Sequence, residues 1–215
     1  MEERERILNA YREHLLEVGQ PPVSVYRFCQ DLDISEKTFF GLFPSFHAVE
    51  AVIWEAMLDR VIEAVEGGPE WNEFSAKQRL LAFLFAFVEA SLEMRSLMLL
   101  RFTEIGVFSR PPFLRRFAAR YHRFAKGIVE VGVENGEIAE RGRVSDLYPS
   151  GLYTLFRSVI DFHLQDESDA FQRTDAFIEK SVNVAFDCIR TQVLDSAFDL
   201  AKFLLPQSVV DRDCK

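Results

Sequence analysis

The sequence predicts an all-α protein. Apolar residues recur at the spacing of a helix in one segment after another, and most of these segments begin at an N-capping residue or end at glycine or proline. No stretch of useful length alternates apolar and polar residues, as a half-buried strand does. The chain has 215 residues, of which 48% are hydrophobic, so it is long enough to bury a substantial core.

Four helices are predicted in the first part of the chain. The first extends from about Glu5 to Val18, where Gly19 and two prolines end it. Serines at N-cap positions predict two short helices, one after Ser24 and one after Ser35. A longer helix from Phe46 to about Glu66 leads into Gly67-Gly68-Pro69, the clearest linker in the sequence, so we place a boundary there between a domain of residues 1–66 and a domain of residues 67–215.

The second domain is also predicted to be helical. Ser75 and Gln78 form a capping box, and the helix that follows is apolar on nearly every side, which predicts burial all round. An apolar segment covers residues 97–108, and Pro111-Pro112 opens a long helix that ends at Asn135-Gly136. Two further helices are predicted over about 147–164 and 174–194.

Composition excludes several classes of protein. The net charge of −9 argues against a protein that coats nucleic acid non-specifically, because that binding depends on Lys and Arg. Three widely spaced cysteines form no disulfide framework. The most apolar stretch, Leu80–Val88, is far shorter than the roughly 20 residues of a membrane span, and the charged N-terminus is not a secretory signal. We therefore expect a cytoplasmic protein without a membrane segment.

The sequence contains no recognisable catalytic pattern. HExxH, GxSxG, P-loop and GxGxxG motifs are absent, and the four histidines are scattered. We expect no enzyme activity, no cofactor and no metal site.

Two short helices joined by about three residues, between two longer helices, have the geometry of a helix-turn-helix. In that motif the first residues of the second helix meet base edges in the major groove, and here these are Ser35, Glu36, Lys37 and Thr38. A small helical bundle without a role in DNA binding would show the same spacing.

The segment Ile34-Ser35-Glu36-Lys37-Thr38-Phe39-Phe40, followed by Phe43-Pro44-Ser45, resembles the recognition helix and turn of TetR-family transcriptional regulators. That family typically has Val-Ser-Lys-Gly-Thr-Leu-Tyr and then Phe-Pro-Ser-Lys. Phe40 lacks the hydroxyl of the usual Tyr, and Phe46 replaces the Lys. The resemblance implies a homodimeric repressor that a small, apolar effector releases from a double-stranded DNA operator.

The resemblance places the DNA contacts on the two short helices and the start of the next. The candidate residues are Ser24, Arg27, Ser35, Glu36, Lys37, Thr38, Phe40, Gly41 and His47. Residues 1–66 carry six basic and thirteen acidic side chains, a net charge of −7 against −2 for residues 67–215. Few ionic contacts with phosphate are therefore available, so we expect weak and salt-sensitive binding. The alternative is a TetR-like fold that binds ligands or proteins and has lost operator binding.

Aromatic side chains of the second domain are the candidate lining of an effector site. They are Phe83, Phe87, Phe102, Phe117, Tyr121, Phe124 and Tyr153. An aromatic stripe at helical spacing is also typical of plain core. A helical carrier of apolar lipids is a third possibility. The resemblance further implies dimerisation through the last two helices, for which the candidates are Tyr148, Leu152, Leu155, Phe156, Val159, Phe177, Val182, Val184, Phe186 and Ile189.

A basic run lies between Ile105 and Val129 and contains no acidic residue. It consists of Arg110, Arg115, Arg116, Arg120, Arg123 and Lys126. Arg116, Arg120 and Arg123 share one helix face, which predicts a solvated surface partly paired with acids of a neighbouring helix. The alternative is a site for an anionic effector, such as an acyl-thioester or a carboxylate.

Overall fold

The computed structural model describes residues 2–103 and 105–190, and within them the chain forms nine α-helices and four short 3-10 segments. This part of the chain contains no strand, so the all-α prediction is confirmed. The helices are α1 (Glu2–Val18), α2 (Val25–Asp31), α3 (Glu36–Leu42), α4 (Phe46–Glu66), α5 (Ala76–Ser91), α6 (Arg95–Phe102), α7 (Arg115–Glu134), α8 (Tyr148–Gln165) and α9 (Gln172–Arg190).

The short helices α2 and α3 begin at the predicted caps. The hydroxyl of Ser24 accepts a hydrogen bond from the Arg27 amide at 3.2 Å, and that of Ser35 accepts one from the Thr38 amide at 3.0 Å. Between the two helices Asp33 adopts a φ of 52°, a left-handed conformation that Asp tolerates better than most residues. These local interactions fix the turn of the helix-turn-helix.

Aromatic packing holds this pair of helices against α1 and α4. Phe28 of α2 and Phe39 of α3 meet edge to face with ring centroids 6.2 Å apart, and both contact Phe46. Phe46 in turn stacks on Tyr11 of α1 at 5.5 Å. Because Phe46 occupies the position where the related motif has Lys, the departure from the family pattern has a structural role in this chain.

Helix α4 connects the two parts of the molecule. It packs against α1, α5 and α7. It ends at Gly67, whose amide donates to the carbonyl of Glu63 at 2.9 Å. One buried cluster extends from Ile7 to Ile189, so the division at residues 66 and 67 stays a prediction.

The capping box that opens α5 is present. The Ser75 hydroxyl accepts from the Gln78 amide at 3.3 Å, and the Gln78 side chain accepts from the Ser75 amide at 2.9 Å. The prediction that α5 is buried all round is wrong, because Leu81 and Phe85 are half-buried and Glu89 is exposed. Helices α4, α7, α8 and α9 cover the other faces.

Helix α6 covers only the first part of the apolar segment 97–108, and residues 105–111, the loop after α6, lie in turns and irregular backbone. Helix α6 ends at Phe102, and Phe108 is 83% exposed. A 3-10 turn at Pro112–Leu114 then leads into α7, which ends at Asn135 and the left-handed Gly136, as predicted. The predicted end of the last helix, near residue 194, lies outside the described residues.

Most of the residues predicted for the dimer interface belong to the core of the single chain. Seven of the ten are buried within it: Tyr148, Leu152, Phe156, Val159, Val182, Phe186 and Ile189. They pack against α5 and α7 because α8 and α9 each turn their most apolar face inward. Leu155 and Phe177 are half-buried and Val184 is 62% exposed, so these three remain available to a second copy. Across residues 2–103 and 105–190, no helix has the length and apolarity that a bilayer span requires.

Candidate functional site

Eight of the nine residues predicted to contact DNA lie on α2, on α3 or at their N-caps, and the ninth, His47, lies in the first turn of α4. All except the half-buried Thr38 are exposed. The hydroxyls of Ser24 and Ser35 accept the capping hydrogen bonds of α2 and α3, and the Ser35 hydroxyl also lies 2.8 Å from the Thr38 hydroxyl. Arg27 forms an exposed ion pair with Asp31 at 3.2 Å, which reduces the positive charge it offers to phosphate. Lys37 at the start of α3 is exposed and has no ion-pair partner among the described residues.

Apolar side chains lie exposed on the same two helices and the loop before them. Tyr26 is 61% exposed, Phe40 53% and Val23 fully exposed. Tyr26 is not among the nine predicted residues, and its exposed ring carries a hydroxyl of the kind that Phe40 lacks. Gly41 has open space where a Cβ would stand, so its position on α3 permits close approach but does not require glycine.

A buried carboxylate joins the helix-turn-helix to the rest of the molecule. Glu50 of α4 is 1% exposed and lies at the junction of α1, α4 and α6. Its oxygens accept hydrogen bonds from the Tyr11 hydroxyl at 3.2 Å, the Trp54 indole at 3.1 Å and the Arg101 guanidinium at 2.8 and 3.1 Å. Burial, followed by the charge of Glu50, raises the pKa of Tyr11. This junction was not predicted, although Glu50 lies on the apolar face of α4 four residues before Trp54.

Six of the seven aromatic residues predicted to line an effector site pack on one another in the core. Phe83, Phe87, Phe102, Phe117, Tyr121 and Phe124 are all buried. Four of them contact Phe156, which stacks on Tyr121 at 4.6 Å and on Phe117 at 5.6 Å and meets Phe87 and Phe83 edge to face at 4.6 and 5.1 Å. The Tyr121 hydroxyl donates to the Leu152 carbonyl at 3.2 Å, and burial raises its pKa. The seventh residue, Tyr153, lines a cavity.

This cavity has a volume of about 360 Å³ and lies between the loop after α6, the start of α7 and the start of α8. Its size is within the range of small-molecule sites. Its described lining consists of Val107, Phe108, Ser109, Arg110, Pro111, Leu114, Arg115, Ala118, His122, Ser150, Tyr153 and Thr154. None of these residues is acidic, two are arginines and four carry hydroxyl groups.

Four of the six residues of the basic run divide between this cavity and the surface of α4, while Arg123 and Lys126 are exposed on α7. On α4, Glu55 pairs with Arg116 at 3.3 Å and Asp59 pairs with Arg120 at 2.5 Å. The predicted pairing with acids of a neighbouring helix is therefore confirmed for these two arginines. Arg110 and Arg115 line the cavity instead, and among the described residues neither lies within 4.0 Å of a carboxylate. Burial and the nearby Arg110 lower the pKa of His122, so its ring is neutral at pH 7.

A buried arginine supports the wall of the cavity. Arg157 of α8 is 2% exposed and donates to the carbonyls of Gly106 and Ser109, at 3.4 Å each. Its guanidinium also lies 5.7 Å from the ring centroid of Phe102. In the part of the chain that the structure covers, no carboxylate pairs with it. Arg157 therefore ties the loop after α6 to α8 and places a third positive charge behind the cavity.

A family model and solved structures of other proteins match the all-helical fold of this chain. The model of the tetracyclin repressor-like C-terminal domain matches residues 79–204, more than half of the chain. The fold is also similar to that of a bacterial regulatory protein of the tetR family from Rhodococcus RHA1, with 16% identity, a TM-score of 0.50, and coverage of 86% of this chain and 96% of that one. A protein of unknown function from Rhodococcus sp. RHA1 is similar at 17% identity and a TM-score of 0.54, over 87% of this chain and 95% of that one. No curated protein matches the chain.

An all-helical chain in which a short capped helix pair, α2 and α3, precedes a larger set of packed helices has the architecture of a helix-turn-helix regulator. The chain belongs to the tetracycline repressor-like, or TetR, family. The predicted family and fold class are thereby confirmed.

Proposed function

We propose that this chain is a homodimeric regulator of transcription that binds operator DNA through α2 and α3 and changes its affinity when a small molecule binds. The observation that carries the proposal is the capped helix pair, with Lys37 and Thr38 at the start of the second helix. The family match supports it. Regulators of this family are generally not enzymes, and we propose no catalytic role.

The DNA contacts are expected to combine few charges with several neutral groups. Lys37 and Arg27 contact phosphate or base edges, and the Tyr26 hydroxyl contacts phosphate. Phe40 and the Thr38 methyl can approach thymine methyl groups in the major groove. Because only Arg27 and Lys37 among these contacts carry positive charge, few counter-ions are released, and binding is expected to be weak and to require low salt.

The dimer is expected to form through the outer faces of α8 and α9. Leu155 and Phe177 are half-buried and Val184 is exposed on these faces. Phe162 and Phe177 stack with ring centroids 4.5 Å apart and bridge the two helices, so a second copy would meet a continuous surface. A two-fold dimer places its recognition helices at a fixed spacing, which must match successive major grooves roughly 34–36 Å apart.

Ligand control is expected to act as a population shift. A ligand that binds the spacing unsuited to DNA more tightly lowers operator affinity by that difference, and the chain then acts as a repressor. The Glu50–Arg101 contact offers a physical route, because Arg101 lies in the last turn of α6, just before the loop that forms one wall of the cavity. Movement of this loop is expected to reach α1 and α4 through Glu50.

Selection of bound genomic fragments at low salt tests the proposal. We expect enrichment of fragments with two half-sites by the wild-type protein, and loss of enrichment for Arg27→Ala/Lys37→Ala. A matched control is Arg123→Ala/Lys126→Ala, which removes the same charge from exposed positions of α7. Absence of any enriched fragment, or equal loss in both variants, would contradict operator binding.

The second candidate function is a TetR-fold module that binds a ligand or a protein and no operator. The acidic charge of residues 1–66 and the exposed Val23 and Phe40 favour it. A cellular function that persists in Arg27→Ala/Lys37→Ala would support this second candidate over the first.

A further inference from the structure

We propose that the cavity between the loop after α6, α7 and α8 binds an amphiphilic carboxylate, with the negative head held by Arg110 and Arg115. This inference names the class of effector. It depends on the proposed function only for the step from ligand binding to release of DNA.

The charge around the cavity favours an anion. Arg110 and Arg115 line it, and no described lining residue is acidic. Arg157 is buried and donates to the carbonyl of the lining residue Ser109; its other described contacts are the Gly106 carbonyl and the Phe102 ring, and no described carboxylate pairs with it. A buried positive charge without a counter-ion is unfavourable, and an anion in the cavity would lower that cost.

The rest of the lining favours an apolar tail beside that charge. Leu114, Ala118 and Val107 supply aliphatic surface. Phe108 is 83% exposed at this site, and a large apolar ring in that position gains contact area when a tail lies against it. Free phosphate or sulfate would leave this apolar surface unused.

The polar groups of the lining suit a carboxylate. Guanidinium groups bind carboxylates through paired hydrogen bonds, and the hydroxyls of Ser109, Ser150, Tyr153 and Thr154 can donate to a carboxylate oxygen. The His122 ring lies 5.2 Å from that of Tyr153 and can donate one further bond. The chemistry is thus one negative head and one short apolar chain.

A matched set of eight-carbon probes tests the charge and the tail separately. Octanoate, 1-octanol and octylammonium share one tail and differ in charge, and acetate has the head without the tail. Binding to the full chain in the absence of DNA is measured by titration calorimetry. We expect octanoate to bind about tenfold or more tightly than octanol, and octylammonium and acetate to bind weakly or not at all.

Arginine substitutions at the cavity test where octanoate binds. Arg110→Ala/Arg115→Ala should weaken octanoate at least about tenfold, while Arg123→Ala/Lys126→Ala should change it less than about twofold. Nuclear magnetic resonance of the histidine rings supplies a second readout, in which octanoate shifts the His122 signals and leaves those of His14 and His47 unchanged.

Three results would overturn the proposal: octanol binding as tightly as octanoate, acetate binding as tightly as octanoate, or undiminished octanoate binding in the double arginine variant. Absence of octanoate binding to the wild type would overturn it as well. Because DNA is absent from these titrations, they fail or succeed independently of the operator selection.

Discussion

Two groups of arginines follow one another in the basic run, and the structure gives them opposite surroundings. Arg116 and Arg120 lie against α4, where Glu55 and Asp59 neutralise them. Arg110 and Arg115 lie at the cavity, where no described residue does so. Arg115 and Arg116 are adjacent in the chain, and one residue along an α-helix turns the side chain by about 100° around the helix axis, so the two point in different directions. A charge count alone therefore does not distinguish an arginine that holds two helices together from one that is available to a ligand.

The largest loss of stability is expected at Glu50, whose buried carboxylate is fully hydrogen-bonded and paired with Arg101. Arg101→Met removes the only guanidinium that the described contacts place on this buried carboxylate and should lower the free energy of unfolding by about 3–5 kcal/mol. Urea denaturation measures this loss. Glu50→Gln/Arg101→Met should recover part of it, because a neutral amide needs no counter-ion. A loss below about 1 kcal/mol in the single variant would contradict a tightly paired junction.

The next largest effect is expected on the pH dependence of stability, at Arg95, whose neighbour is the imidazole of His163 and not a carboxylate. Arg95 lies 3.0 Å from the buried His163 ring, and burial together with Arg95 lowers the pKa of His163 to about 4. In the unfolded chain the ordinary pKa is 6.5, so between these values the unfolded state binds a proton that the native state does not. The free energy of unfolding should therefore fall by about 2 kcal/mol as the pH drops from 6.5 to 4.

Other groups also titrate in this range, so the measurement compares two proteins. His163→Gln should show a flatter dependence of stability on pH than the wild type when both are unfolded in urea at a series of pH values. Identical slopes would contradict the assignment to His163.

A smaller effect is expected for the arginines paired on α4. Arg120→Ala should lower the free energy of unfolding by about 0.5–1 kcal/mol, because its ion pair with Asp59 is only partly shielded from water. Arg123→Ala on the same helix serves as the control and should change stability by less. If Arg120→Ala and Arg123→Ala lower the free energy of unfolding equally, the ion pair of Arg120 with Asp59 does not contribute to stability.

The smallest effect on stability is expected at the cavity. Arg110→Ala/Arg115→Ala should change the free energy of unfolding by less than about 0.5 kcal/mol, and at low salt the change should be towards greater stability. The reason is that two positive charges near Arg157 are removed and no ion pair is broken. Denaturation at low and high salt measures both points. A loss of stability as large as that of Arg120→Ala would show that Arg110 and Arg115 hold the fold together, and would contradict the distinction between the two groups of arginines.

The features that sequence predicted well depend on residues close together in the chain. The caps at Ser24 and Ser35 and the capping box of Ser75 involve partners three residues away, so local chemistry determines them. The stop at Asn135-Gly136 is local for the same reason. The Ile34–Ser45 frame carried the family resemblance because its residues form one continuous motif.

The features that sequence did not predict depend on distant partners. Glu50 and Arg101 are 51 residues apart, and periodicity gives no sign that one buried carboxylate meets one guanidinium. The dimer candidates on α8 and α9 were apolar at the right spacing, yet the pattern does not say whether α5 or a second copy covers them. One wall of the cavity is a loop, where no periodic signal exists, and the two helices that complete the cavity are distant from each other in sequence.

The hydrogen bond between Trp54 and Glu50 gives the unlabelled protein an optical probe of its own junction. The chain has two tryptophans, and the other, Trp71, stacks on Phe124 with the Arg79 guanidinium 5.0 Å away. Indole emission is sensitive to nearby charge, so replacing Trp71 with phenylalanine would leave a single emitter beside the carboxylate that links α1, α4 and α6. Its spectrum could then follow in real time whether an event at the cavity reaches the helix-turn-helix.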